Sequence, residues 1–334
     1  LRMVLLSMLV DRKEYHTKMT YFAFKTLKTL RCIFGSRNYA IKKAISVFNN
    51  DDKIIETLLN ADYINNNDTV VITPILLNPG VIYVKNTGGI KYFRSFGITP
   101  GKSSADGYGE TIKNLSTMKV LLESCGYKFT DIARTWFYNF ELLDWYSEFN
   151  RARTAFFEKE GIFKALLPAS TGIGAPNPAG AKIESGILAI KSDGSNRFWD
   201  VRELQSPLQC GAPEYGSSFS RAVEIDTEHS RRIIISGTAS IEPGGATAHL
   251  GDIEKQVDLT MCVIEGILKS RGMDFSDTIR AIAYCQRPEF YAAFKNWCCK
   301  RNLGLPHCPS YSTVCRDDLL FEVELDAAKN GEKQ

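Results

Sequence analysis

The sequence predicts an α+β fold made of two tandem units, each a mixed β-sheet with two helices packed on one face. Three observations lead there. Residues 122–138 align without a gap to 268–284 at a constant offset of 146, with seven of the 17 positions identical. Helical and strand periodicities follow one another in the same order around both copies. The chain has 334 residues, 44% of them hydrophobic, which is enough apolar material for two cores.

The elements follow in order. Residues 80–93 read as a hairpin turning at Asn86-Thr87-Gly88-Gly89. Glu110 to Ser124 carries apolar residues at helical spacing and stops near Gly126, a residue suited to a left-handed C-cap. Ile253 to Ser270 and Gly272 repeat that pattern. Thr130-Asp131 and Ser276-Asp277 turn the chain into strands Ile132 to Tyr138 and Thr278 to Tyr284, both rich in β-branched and aromatic residues. Second helices are expected over Leu143 to Glu160 and Pro288 to Arg301, where Tyr146 and Phe149 echo Tyr291 and Phe294 at an offset of 145. Proline-containing loops come next, at 167–171 and 308–312. Strands Gly186 to Lys191 and Leu319 to Leu325 close the units, and Arg231 to Gly237 is the strand that opens the second. The expected organisation is a basic extension (1–43), a first unit (44–191), a linker rich in Ser, Gly, Pro and charge (192–230), and a second unit (231–334).

Composition narrows the function classes. The net charge of +3 is unevenly spread. Ten Lys or Arg against Asp11 and Glu14 give residues 1–43 a balance of +8, and the remainder, with 31 basic and 36 acidic residues, carries −5. A local basic excess on a mildly acidic body does not make nucleic acid the expected partner. No apolar run approaches the ~20 residues of a membrane span. Leu1 to Val10 is apolar but runs into Asp11-Arg12-Lys13-Glu14 without a small-residue cleavage site, so a cytoplasmic protein is expected. Nine cysteines without a C-x-x-C pair suggest reduced thiols, and four scattered histidines form no ligand pair. No metal or cofactor is expected.

Ile234-Ile235-Ser236-Gly237-Thr238-Ala239-Ser240, the helix start at Asp252, the stretch Gly272 to Tyr284, and Phe321-Glu322-Val323-Glu324 together resemble the Rid (YjgF) superfamily. The resemblance spans 231–326 and, in weaker form, 70–190. Two such units in one chain are most similar to its chorismatase branch, whose members hydrolyse chorismate to pyruvate and a cyclic acid or eliminate to hydroxybenzoates. It implies clefts where units meet around a threefold or pseudo-threefold axis, a small carboxylate metabolite as ligand, and a homo-oligomer with a trimer favoured. Single-domain Rid deaminases carry an arginine in a Pro-Ala-Arg-Ser loop that clamps the substrate carboxylate. The matching positions here are read as Ser170 and Tyr311, and neither replaces a guanidinium. The leading expectation is therefore a chorismatase-like hydrolase or lyase. A non-catalytic metabolite-binding protein and a deaminase with a non-standard clamp are the alternatives.

The resemblance places a catalytic, cleft-facing carboxyl at Glu322. Glu322 and Glu324 flank Val323, so both project from one strand face. Either they meet the ligand there or they sit on a solvated edge. Burial would raise such a carboxyl's pKa towards neutrality, as proton transfer requires. Arg151 and Arg153 lie roughly 200° apart on a helix, so only one of them can face a cleft. Ser170 and Thr171, in a loop continuing Gly172-Ile173-Gly174, offer hydroxyls and backbone N–H groups for an anion, with no Gly-Lys-Ser/Thr that would mark a nucleotide loop. Tyr311 and Ser312 hold the corresponding loop of the second unit. Gly237, Thr238 and Ala239 resemble the family's cleft floor. Arg134 and Arg280 occupy equivalent strand positions and suggest a shared structural pairing. Cys315 is a nucleophile only if a base lies near it in space.

Overall fold

A computed structural model describes residues 69–75, 78–87, 89–100, 106–177 and 180–330, with side chains from residue 89 onward. The basic segment 1–43 lies outside the described residues.

The chain forms two six-stranded mixed sheets of identical topology. The first contains β1 (Thr69–Ile75), β2 (Asn78–Thr87), β3 (Ile90–Ile98), β4 (Ile132–Asn139), β5 (Ala169–Gly174) and β6 (Ile183–Ser192) in the order β1-β2-β3-β6-β4-β5. The second contains β7 (Trp199–Leu204), β8 (Ala222–Thr227), β9 (Ser230–Ala239), β10 (Thr278–Cys285), β11 (His307–Tyr311) and β12 (Phe321–Asn330) in the matching order β7-β8-β9-β12-β10-β11. Helices α1 (Gly107–Ser124) and α2 (Leu142–Lys159) belong to the first unit, α3 (Ile253–Lys269) and α4 (Tyr291–Lys300) to the second.

The local signals act as expected. Asp106 accepts from the Gly109 N–H at 2.7 Å and caps α1, and Asp252 accepts from the Lys255 N–H at 3.1 Å and caps α3. Gly126 and Gly272, at φ 75° and 66°, follow the two helix ends in the left-handed region that glycine favours. Two expectations need correction. The stretch 192–230 is not simply a linker: β7 and β8 lie within it, β8 pairing with β9 and β7 with β8. The proline-containing loops run into edge strands, β5 and β11, each parallel to its neighbour; Pro168 precedes β5, and Pro309 lies within β11, where an edge position can spare the N–H that proline lacks.

The helices cover one face of each sheet over separate cores. Phe149, Phe137 and Leu115 lie in the first, Met261, Phe294 and Val323 in the second. The other sheet faces meet each other. Apolar contact between them runs through Ile190, Val223 and Ile234 at one place and Trp136, Tyr138, Ile282 and Tyr284 at another.

Charge is buried at this junction. Arg134 on β4 pairs with Asp326 at 2.7 Å and with Glu324 at 2.9 Å, both on β12 of the other unit. Arg280 also pairs with Glu324 and lies 3.4 Å from Asp326, and the Trp136 indole N–H donates to Glu324 at 3.1 Å. Burial alone would raise the pKa of Asp326, but Arg280 and Arg134, with Arg232 and Arg94 behind them, hold it below the usual range. Its contribution to stability is therefore present above the ordinary Asp pKa of about 3.9 and is lost as acid protonates it. Removing one member leaves its partners buried and uncompensated. Glu324→Gln is expected to lower the unfolding free energy by about 3–5 kcal/mol, measured by urea denaturation.

Candidate functional site

A cavity of about 120 Å³ opens where the two units meet, lined by both. On the first unit, Glu141 enters α2 with φ 50° and Trp145 departs from helical geometry at φ −141°. Beyond this kink, Tyr146, Phe149, Asn150 and Arg153 fall at i, i+3, i+4 and i+7, one helix face, and all four line the cavity. Arg153 is buried, its ζ carbon 4.8 Å from the Phe149 ring centroid, and its Nη2 donates to the Asn150 Oδ1 at 2.7 Å. Arg151 is exposed, lies over Tyr108 and does not line the cavity.

Strand β5 presents alternate residues to the cavity. Ser170 and Gly172 line it. The Ser170 hydroxyl accepts from Thr135 at 2.9 Å, and its N–H donates to the Ser236 hydroxyl at 2.9 Å. Thr171 does not line the cavity; its hydroxyl accepts from Arg134 at 3.3 Å.

On the second unit, Glu322 lies opposite Ala239 on one side and Tyr284 on the other. It lines the cavity at 5% exposure, and burial pushes its pKa up to about 8. Gly237 packs against it: a Cβ there would fall on the Glu322 carboxylate and displace it. Ala239 also lines the cavity. Thr238, one residue earlier, does not, and is buried with its hydroxyl on the Ser236 carbonyl at 2.9 Å.

Glu322, Glu324 and Asp326 occupy alternate positions of β12, while Val323, Leu325 and Ala327 pack in the core. The shared face is there, but only Glu322 lines the cavity; Glu324 is committed to Arg134, Arg280 and Trp136. Tyr311 and Ser312 also lie away from it. Tyr311 is 39% exposed, opposite Cys285, and the Ser312 hydroxyl pairs with Ser310 at 3.0 Å. Strand register explains the mismatch between the two loops. Ser170 lies opposite Thr135, whose counterpart at offset 146 is Ala281, and Ala281 lies opposite His307. His307, not Tyr311, is the structural counterpart of Ser170.

Several cavity residues were not singled out by the sequence. Arg221 and Arg316 line it with Arg153, so three guanidiniums share a site with one carboxyl, and Tyr215 and Phe219 add aromatic walls. Cys315 lines it as well. Burial pushes its thiol up to about 12, with Glu322 adding to the rise, and no histidine is among the lining residues. It sits there as a neutral thiol, not a nucleophilic thiolate.

Fold and site together define a class: two fused α+β units whose junction holds an acid and several arginines in one cavity. Relatives make the class more specific. No protein-family model matches the chain. It is 28% identical over 228 residues to a chorismatase of Streptomyces hygroscopicus, covering 61% of this chain and 63% of that protein. It is 26% identical over 230 residues to a chorismatase of Streptomyces rapamycinicus, covering 61% and 65%. The match spans less than two thirds of the length of either relative. A chorismatase crystal structure shares the fold, with a TM-score of 0.61 at 23% identity over 78% of this chain and 79% of that one. The chain is thus similar in sequence to chorismatases and shares the fold of a solved one. Among the described residues, no helix is long and apolar enough to cross a membrane.

The thiol assignment has a direct test. At pH 8, iodoacetamide followed by peptide mass spectrometry is expected to label the exposed Cys299 and leave Cys315 unmodified until the protein is unfolded.

Proposed function

We propose that this chain is an enzyme that hydrolyses, or eliminates from, a small cyclic carboxylic acid bearing an enol ether, with chorismate the first substrate to try. The observation that carries the reading is Glu322: a buried carboxyl raised to about 8, in a cavity it shares with Arg153, Arg221 and Arg316.

The chemistry follows from that arrangement. An enol ether becomes reactive when its terminal carbon accepts a proton: water then adds to the oxocarbenium carbon and the hemiketal collapses to a keto acid and a ring alcohol, or the ring C–O bond breaks, its electrons going to the departing keto acid, and the ring loses a proton. A carboxyl with ordinary acidity is ionised at neutral pH and has no proton to give. Glu322 keeps its proton up to about pH 8 and can act as the general acid. The arginines supply charge-assisted donors for carboxylate groups and hold the ligand against that acid. Gly237 gives the Glu322 carboxyl its place, and both Gly237 and Ala239 line the cavity beside it. A deaminase of the usual Rid kind is the less favoured reading: Ser170, at a position that the resemblance gives to the clamp arginine, offers a hydroxyl and not a guanidinium.

The test is pyruvate release from chorismate. Wild type is expected to release pyruvate, with a rate that falls as pH rises through about 8. Glu322→Gln is expected to lose at least about 10²-fold. Stability separates a chemical role from a structural one. Because the folded pKa is raised, the stabilisation tied to the protonated carboxyl is complete below its unfolded value and disappears as pH rises through about 8. Glu322→Gln is therefore expected to melt with wild type at pH 5 and above it at pH 9. An unfolded variant at pH 5, or undiminished turnover, contradicts the assignment.

A further inference from the structure

Arg221 and Arg316 reach the cavity from separate segments of the second unit, and one aromatic ring contacts both. Tyr215 ends the short 3-10 turn Ala212–Tyr215 in the connection from β7 to β8. The guanidinium carbon of Arg221 lies 5.3 Å from its ring centroid and that of Arg316 6.0 Å. Each arginine is anchored by one backbone carbonyl: Arg221 Nε donates to Cys210 O at 2.9 Å, and Arg316 Nη1 donates to Gly245 O at 2.6 Å. No carboxylate pairs with either among the described residues. Arg221 is 2% exposed, and its buried Nη2 has no hydrogen-bond partner.

The ring itself is fixed from two directions. Gly245, at φ 85°, lies so close that an added Cβ would stand 3.1 Å from the Tyr215 Cβ. Three residues after the ring, the Ser218 hydroxyl meets the Thr154 hydroxyl of α2 at 2.6 Å, which ties this connection to the first unit. A guanidinium resting on a ring face is held by the ring quadrupole while its N–H edge stays available for a carboxylate. Two cations that would otherwise repel each other share one such support.

We propose that Tyr215 is a positioning residue, holding Arg221 and Arg316 with their donors towards the cavity to receive a carboxylate of the ligand. This rests on the reading that the cavity takes a small carboxylic acid.

The experiment titrates the full chain calorimetrically with benzoate and with methyl benzoate, beside the variants Tyr215→Phe and Tyr215→Leu. Leucine fills space without offering a π face, and its melting temperature reports whether the fold survives. Wild type is expected to bind benzoate and not the ester. Tyr215→Phe, which keeps the ring but gives up the hydroxyl's contact with Arg221, should weaken binding by less than Tyr215→Leu, which should bind about tenfold more weakly than wild type at a similar melting temperature. With chorismate, Tyr215→Leu should raise KM and leave kcat nearly unchanged. Equal benzoate affinity in Tyr215→Leu overturns the proposal, as does wild type that fails to distinguish benzoate from its ester. Should Tyr215→Leu unfold, loss of binding in Tyr215→Phe with the fold intact overturns it equally. The expected benzoate pattern without pyruvate release contradicts only the proposed reaction.

Discussion

The buried ionic cluster at the sheet junction is the interaction on which the rest depends. Arg134 comes from one unit and Glu324 and Asp326 from the other, so the cluster can be satisfied only when the two sheets meet in one orientation. Apolar contacts such as Ile190 with Val223 and Ile234 drive the sheets together but tolerate sliding. Charges held out of water do not, because a displaced partner leaves an unpaired ion in the interior. The junction so fixed determines what faces what across the cavity. The Arg134 side chain also donates to Thr171, whose neighbours Ser170 and Gly172 form part of the cavity wall. The site and the junction are consecutive layers of one construction.

Duplication supplied the parts, and divergence made one cleft of them. Glu322 lies opposite Tyr284 as Glu184 lies opposite Tyr138, so each unit carries a buried glutamate at the same register. The helices are less alike. At the offset of 145 that relates Tyr146 to Tyr291 and Phe149 to Phe294, Arg153 corresponds to Cys298. Arg153 lines the cavity, whereas Cys298 is packed into the core of the second unit. The cationic side of the site thus comes from the first unit's helix and from loops of the second, and the acid from the second unit's closing strand.

Much of this frame is legible in the sequence, because a constant offset and glycine C-caps are local signals that tertiary packing preserves. The Glu322-Val323-Glu324 alternation shows which face the carboxyls share, but not that Glu324 is consumed by Arg134 and Arg280. Helical geometry shows that Arg151 and Arg153 diverge, but which one meets the second unit is a fact of the junction. The proline-containing loops mislead for a physical reason. Pro168 and Pro309 match as letters, while hydrogen-bond register sets Ser170 against His307. Strands β7 and β8 are hidden by flanking Ser, Gly and Pro, and every residue of β8 is buried, so no inside–outside alternation marks it. Arg221, Arg316 and Tyr215 carry no spacing signal, since they come from connections that converge only in the folded chain.

The central claim is that a carboxyl in this cavity stays protonated at neutral pH. The most direct measurement is carbon NMR of the protein labelled at its glutamate carboxyls, with Glu322→Gln used to assign the missing resonance. A signal titrating near pH 8 is the result this account predicts. A Glu322 signal titrating at the ordinary glutamate value of about 4.3 would contradict it, because an ionised carboxylate has no proton to deliver.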